Sequence, residues 1–197
     1  MAQTEQKNQN VKKQFEELQS LLERAMALQT SMVLFEWDDE TLAPKGAAEH
    51  TARVIGSLSE QYQEILASMR FKELLDVCQK AEKENAGVFD EVQSAILREA
   101  AEEQERLSCI PPEEYRAYAE LTARATGIWT RAREKNDFAS FAPVLKEIIS
   151  YQKKFAAYRA KTGQKLYDVM LDTYEKGFNM EMLDPFFELM KGKIVPL

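Results

Sequence analysis

Nowhere between turn signals does this chain sustain an alternation of apolar and polar residues; its apolar residues return every three or four positions, a period that calls for helix. Val11, Phe15, Leu18, Leu22 and Met26, followed by Leu28 and Met32, predict a first helix. Pro44 and Gly46 set its end, because proline cannot continue the hydrogen-bond ladder and disfavours helix in the residue before it. Val54, Ile55, Leu58, Tyr62, Ile65 and Leu66 resume the period as a second helix. A third, "FKELLDVCQKAEKE", is expected to stop at Asn85 and Gly87, residues that tolerate a left-handed C-cap. "FDEVQSAILREAAEEQERL" reads as a fourth, strongly charged helix. Pro112 suits the first position of a fifth, with Glu113 and Glu114 favourable in its first turn. A sixth restarts near Ser140 and Pro143 and stops at Gly163; a seventh stops at Gly177; an eighth has Asp184 as N-cap and Pro185 at its first position. The expected fold class is all-α, a multi-helix array with long amphipathic helices. Neither a glycine- or serine-rich linker nor an internal repeat divides it.

A length of 197 residues suits one region, 1–197, with a real core. Hydrophobic content of 45% with 30% charged residues is globular, and no apolar run approaches the ~18 residues that span a bilayer. "MAQTEQKNQNVKKQ" lacks the apolar segment of a secretory signal, so the expected localisation is cytoplasmic, with no membrane partner. A net charge of −7, with the basic stretches "VKKQ", "RARE" and "YQKKFAAYRAK" set among glutamates or apolar residues, argues against a nucleic-acid partner. Cys78 and Cys109 are too far apart in sequence for a metal-binding or redox pair, and both are read as reduced core thiols.

Catalytic constellations are scarce. His50 is the only histidine, which excludes HExxH zinc binding and paired ExxH di-iron sites by count; Val54 stands where a ligand partner four residues on would be. It reads as a half-exposed helix-surface residue. The glutamates of "REAAEEQER" alternate with Arg98 and Arg106 and suit a solvated, ion-paired face. Phe138, Phe141, Tyr151, Phe155 and Tyr158 recur at helical spacing and are read as core. There is no phosphate-cradling glycine loop and no nucleophile elbow.

One stretch resists this reading. "LFEWDDETLAP" gathers Glu36, Asp38, Asp39 and Glu40 around Trp37 where the first helix should finish, and anions at a helix C-terminus cost up to about 1 kcal/mol each. Either the helix ends near Trp37 and the acids serve the start of the second helix, or they form an electronegative rim able to hold a cation or a basic peptide.

"EWDDETLAPKGAAEHTARVIGSLSE" resembles the N-terminal signature of the thermostable Taq-type metallocarboxypeptidases. Three further stretches resemble the family in the same order: "ARATGIWTRAREKNDFASFAPVLKEII", "LYDVMLDTYEKGFN" and "FFELMKGKIVPL". Leu42 and Lys45 are small departures within the proline turn. The resemblance implies a larger helical zincin-type peptidase fold and a metal-dependent carboxypeptidase of broad specificity, using zinc or cobalt, acting on peptides and assembling as a homo-oligomer, a dimer. In the family an HExxH motif, a later glutamate and substrate-holding arginines do the chemistry; all are expected downstream of "KIVPL", which reads as mid-helix. This chain is accordingly expected to supply a wall and cap of the substrate groove, with no catalytic residue, no metal ligand and no activity of its own. The alternative is a non-catalytic helical module that binds peptides or proteins.

Overall fold

The computed structural model describes residues 2–44 and 46–196, with side chains from residue 6 onward. Eight helices and no strand occur among them: α1 (Ala2–Thr41), α2 (Ala48–Leu66), α3 (Met69–Glu84), α4 (Glu91–Ser108), α5 (Pro112–Glu134), α6 (Phe138–Arg159), α7 (Leu166–Tyr174) and α8 (Met180–Ile194). The all-α expectation holds. The chain forms two compact units, Met1–Leu145 and Lys146–Leu197.

The core of the first unit lies among α1, α3 and α4. Phe15 and Leu18 of α1, Phe71, Leu74 and Cys78 of α3, and Leu97 and Leu107 of α4 are all but sealed from water. The Phe15 and Phe89 rings pack with centroids 5.0 Å apart. At about 1.5–3 kcal/mol per buried large side chain, this cluster is the main source of the unit's stability. Exposed ion pairs from α1 to α3, Lys7 to Glu84 at 2.7 Å and Glu17 to Arg70 at 2.6 Å, are screened by water and add little to it. Local signals agree with the packing. The Ser68 hydroxyl accepts from Phe71 N at 3.1 Å to cap α3, and Asp90 with Gln93 forms a reciprocal capping box at α4.

α2 contacts α1, α3, α4 and α5, with its most extensive packing against α5. Gly56 makes that approach possible, since a Cβ there would fall on the Glu120 side chain, with Oε1 at 2.7 Å. Glu120 in turn accepts from Arg116 Nε at 3.0 Å and lies 3.7 Å from Arg124, while Arg116 also reaches Glu60 at 2.9 Å. The other end of α2 is fixed by Gln63, which is fully buried and donates through Nε2 to the carbonyls of Leu107 (3.1 Å) and Ile110 (2.6 Å). Pro111 and Pro112 follow and carry no N–H, so the chain itself is short of donors at this corner.

In the second unit Phe155, Ala156 and Val169 are buried, and the Tyr151 and Phe155 rings pair at 5.8 Å. Its connections are tied by two aspartates: Asp172 Oδ1 accepts from Gly177 N at 2.8 Å and Asp168 Oδ1 from Met180 N at 2.9 Å. Gly163 and Gly177 both sit at φ +81°, the left-handed conformation glycine adopts without strain, in the turns that follow α6 and α7.

Several expectations change. Asn85 is extended (φ −147°) rather than left-handed; its Oδ1 accepts from Gly87 N at 3.2 Å, a local turn that ends α3 without a left-handed residue. α8 begins a turn before Asp184, because Asn179 accepts from Met182 N at 3.0 Å, and Pro185 lies inside the helix. α8 is helical to Ile194, with Val195 as its C-cap; Lys45 and Leu197 lie outside the described residues. The aromatic series is mostly not core: Phe155 alone of the five is buried, and Phe138 is 68% exposed. Cys78 is a core thiol that burial pushes up to about 11, whereas Cys109 is half-buried at the α4 C-cap; both are free.

Two measurements probe the hub. Gln63→Leu keeps the volume but strips the corner carbonyls of their side-chain donor, and is expected to lower unfolding free energy by about 2–3 kcal/mol in urea titrations. Gly56→Ala improves helix propensity by about 1 kcal/mol yet must displace Glu120 from its arginines. A net loss of about 1–2 kcal/mol is expected by the same assay.

Candidate functional site

The acidic stretch is helical throughout. α1 runs to Thr41, not to Trp37, so Glu36, Asp38, Asp39 and Glu40 occupy its last two turns, with no basic residue there. The expected boundary near Trp37 is overturned. Thr41 Oγ1 donates to Trp37 O at 2.6 Å, and the Leu42 and Ala43 N–H groups donate to Asp38 O, closing the helix before Pro44. The helical period places Glu36, Asp39 and Glu40 on one side, and all three line a cavity of about 270 Å³ between the end of α1, the first half of α2 and the middle of α5. Asp38 is not among its lining residues.

The other walls are short side chains. Ala48, Thr51, Ala52 and Ile55 come from α2, and Thr122, Ala123 and Thr126 from α5. Partial loss of hydration, reinforced by the Glu40 carboxylate, holds the Glu36 carboxyl above its usual range. Sequence reasoning found the carboxylates and missed the threonines. Their signal was present as Thr122 and Thr126 four residues apart, one helical face of small residues turned to a matching run on α2.

The remaining candidates fall apart from this pocket. His50 is exposed on α2, and Trp37 and Trp129 are also exposed, the latter with the Arg133 guanidinium 5.2 Å from its ring. On α4, Arg106 pairs with Glu103, which also accepts from the Tyr62 hydroxyl at 3.1 Å. No group of three or more His, Cys, Asp or Glu able to hold a metal ion occurs among the described residues.

A raised carboxyl pKa in the folded state means that the ionised form is the disfavoured one. The contribution of Glu36 to stability is therefore intact below its unfolded pKa and is lost as pH rises through the folded value. Glu36→Gln is expected to stabilise the chain at pH 7 by about 0.3–1 kcal/mol, and to give no advantage near pH 3, in paired urea titrations.

The matched stretches of sequence are largely architectural. Thr41 closes α1; Asn136 takes a left-handed φ of 51° and Asp137 Oδ1 accepts from Ser140 N at 3.3 Å to start α6; Asp168 and Asp172 tie the links around α7. Residues 17–197 match the family described as carboxypeptidase Taq (M32) metallopeptidase. Carboxypeptidase 1 of Bacillus subtilis is 34% identical over 177 residues, 90% of this chain and 34% of that protein. Thermostable carboxypeptidase 1 of Pyrococcus furiosus is 30% identical over 174 residues, 88% of this chain and 34% of its own length. Among solved structures, the one described as the BsuCP crystal structure superposes with a TM-score of 0.87 at 33% identity, covering 93% of this chain and 36% of that one. The Pyrococcus furiosus carboxypeptidase gives 0.71 at 29% identity over 93% and 36%. The chain thus spans about a third of the length of the relatives it matches, and it belongs to the carboxypeptidase Taq (M32) family of metallopeptidases.

Proposed function

We propose that these 197 residues are the N-terminal wall and cap of the substrate groove of a metal-dependent carboxypeptidase, which releases C-terminal amino acids from peptides with broad specificity. The observation that carries this reading is coverage: nearly all of this chain matches about a third of a carboxypeptidase fold. The residues described here do not fit a catalytic metal centre, which needs three protein ligands, an open position and a general base. The zinc or cobalt ion, its ligands and the general base then belong to the part of the family fold outside these residues, and this chain supplies none of them. Glu36, Asp38, Asp39 and Glu40 act on fold and electrostatics, not on bond cleavage.

An apolar face on α8 supports the wall reading. Met182, Phe186, Phe187, Leu189 and Ile194 are each more than half exposed, an apolar display suited to packing against further protein. The parent enzyme is read as a cytoplasmic homo-oligomer, a dimer, with peptides as its partners and no nucleic acid. Among the described residues no helix is long and apolar enough to cross a membrane.

The test is a chimera in which this chain replaces the matching third of the Bacillus subtilis carboxypeptidase. Chelator-sensitive release of C-terminal residues from blocked dipeptides is expected from the chimera, and none from the 197-residue chain supplied with zinc or cobalt. A folded, metal-loaded but inactive chimera would count against the reading, as would stoichiometric zinc and turnover in the chain alone.

A further inference from the structure

α8 is an apolar helix whose apolar side is uncovered. Met182, Phe186, Phe187, Leu189, Met190 and Ile194 are 38–57% exposed, and no residue of the helix is buried. At 3.6 residues per turn these six spread over about half of the circumference, with Glu181, Asp184, Glu188 and Lys191 on the other half. A helix patterned in this way buries its apolar stripe against a neighbour. The buried residues of the second unit are Phe155, Ala156 and Val169, a core too small to supply one.

Charge decides what kind of neighbour fits. The helix is acidic in its first half, at Glu181 and Asp184, and basic at its end, at Lys191 and Lys193. Asp184 and Lys191 lie about two turns apart along the same edge of the apolar stripe. Like edges meet when two helices pack antiparallel. About a two-fold axis beside Phe187, Asp184 of each copy then faces Lys191 of the other, and Phe186 lies on Leu189. A parallel pair would set Asp184 against Asp184. Lys191 already donates to Glu188 Oε1 at 2.8 Å, an exposed pair that leaves two of its three N–H groups for a second carboxylate. Size agrees with this pairing. Six large side chains, each roughly half exposed, offer on the order of 600 Å² per helix. Two copies therefore remove about 1,200 Å² from water, the lower end of the range for specific interfaces.

We infer that α8 is the seam of a homodimer, packed antiparallel on α8 of a second copy of this chain, with the Asp184 to Lys191 pair formed twice across the two-fold axis. An unrelated surface has no reason to match opposite charges at mirror-related positions, whereas a second copy does so by symmetry. This assignment rests on the homodimer reading above and names its surface, independently of the peptidase activity.

The experiment is sedimentation of the 197-residue chain over a range of concentrations, repeated on the chimera, with circular dichroism to check each variant for intact helix. An equilibrium between monomer and dimer is expected for both proteins. Phe186→Ser combined with Phe187→Ser should weaken the dimer at least about thirtyfold. Asp184→Lys and Lys191→Asp should each weaken it by about tenfold, because each sets like charges face to face; made together, they should restore it to within about threefold. Burial of α8 against any other surface would not give that restoration. A 197-residue chain that stays monomeric, or folded variants with unchanged association, overturns the proposal, as does a double exchange no better than the single ones. A chimera whose association ignores these substitutions gives the face to the rest of the fold and also overturns it. The chimera's peptidase activity reports on the carboxypeptidase reading and its association on this one, so either can fail alone.

Discussion

The first unit depends on the burial of one amide. Gln63 reaches from α2 to two carbonyls at the corner where α4 gives way to α5, just before two consecutive prolines that bring no N–H of their own. Its hydrogen bonds fix the height at which α2 enters the corner. That height in turn decides which α2 residue meets α5 two turns earlier, and Gly56 is the one that fits beneath Glu120. The cavity at the other end of α2 inherits its shape from both contacts, since Thr51, Ala52 and Ile55 lie within two turns of Gly56. A buried polar group thus sets register in a core whose apolar residues, by themselves, tolerate sliding.

Most of the architecture was legible in the sequence, and the reasons for its misses are local. Periodicity located all eight helices, and Pro112 opens α5 as expected, whereas α6 and α7 end at Arg159 and Tyr174, before the turns that hold Gly163 and Gly177. Where two capping residues competed, the reading chose the wrong one. Asn179 and Asp184 are both good N-caps, and an interior Pro185 is tolerated near the start of α8 because the proline removes only one ladder bond. Period alone also says nothing of what covers a face. The apolar stripe of α1 is buried at Val11, Phe15 and Leu18, yet Met26 and Val33 farther along it are more than half exposed. The aromatic residues of α6 show the same contrast, with Phe155 buried and Phe138 in water.

The candidate site was half legible. Four acids in five positions were plain, but whether they lay on a helix or beyond it turned on competing boundary rules, and the structure keeps them in the helix despite the dipole. Their partners in the cavity came from residues as ordinary as threonine and alanine on two other helices. Only a fold brings positions 36, 51 and 122 together, and composition cannot announce it. The family signature, which pointed to kinship, is carried here chiefly by caps and turn ties. Asp137, Asp168 and Asp172 each accept a backbone N–H, so these matches record how the chain changes direction more than what it binds.

The two cysteines divide the chain's sulfur chemistry cleanly. Cys78 is sealed in the core with its thiol pushed up to about 11, so thiolate is scarce at neutral pH and reagents cannot reach it without unfolding. Cys109 is half-buried at the α4 C-cap, between Leu107 and Ile110, the residues whose carbonyls Gln63 holds. A maleimide fluorophore applied to the native protein therefore goes to one place, the corner on which α2 hangs. The same reagent reaches Cys78 only as the α3 core opens, so the two labelling rates separate fraying of that corner from global unfolding in a single unmodified chain.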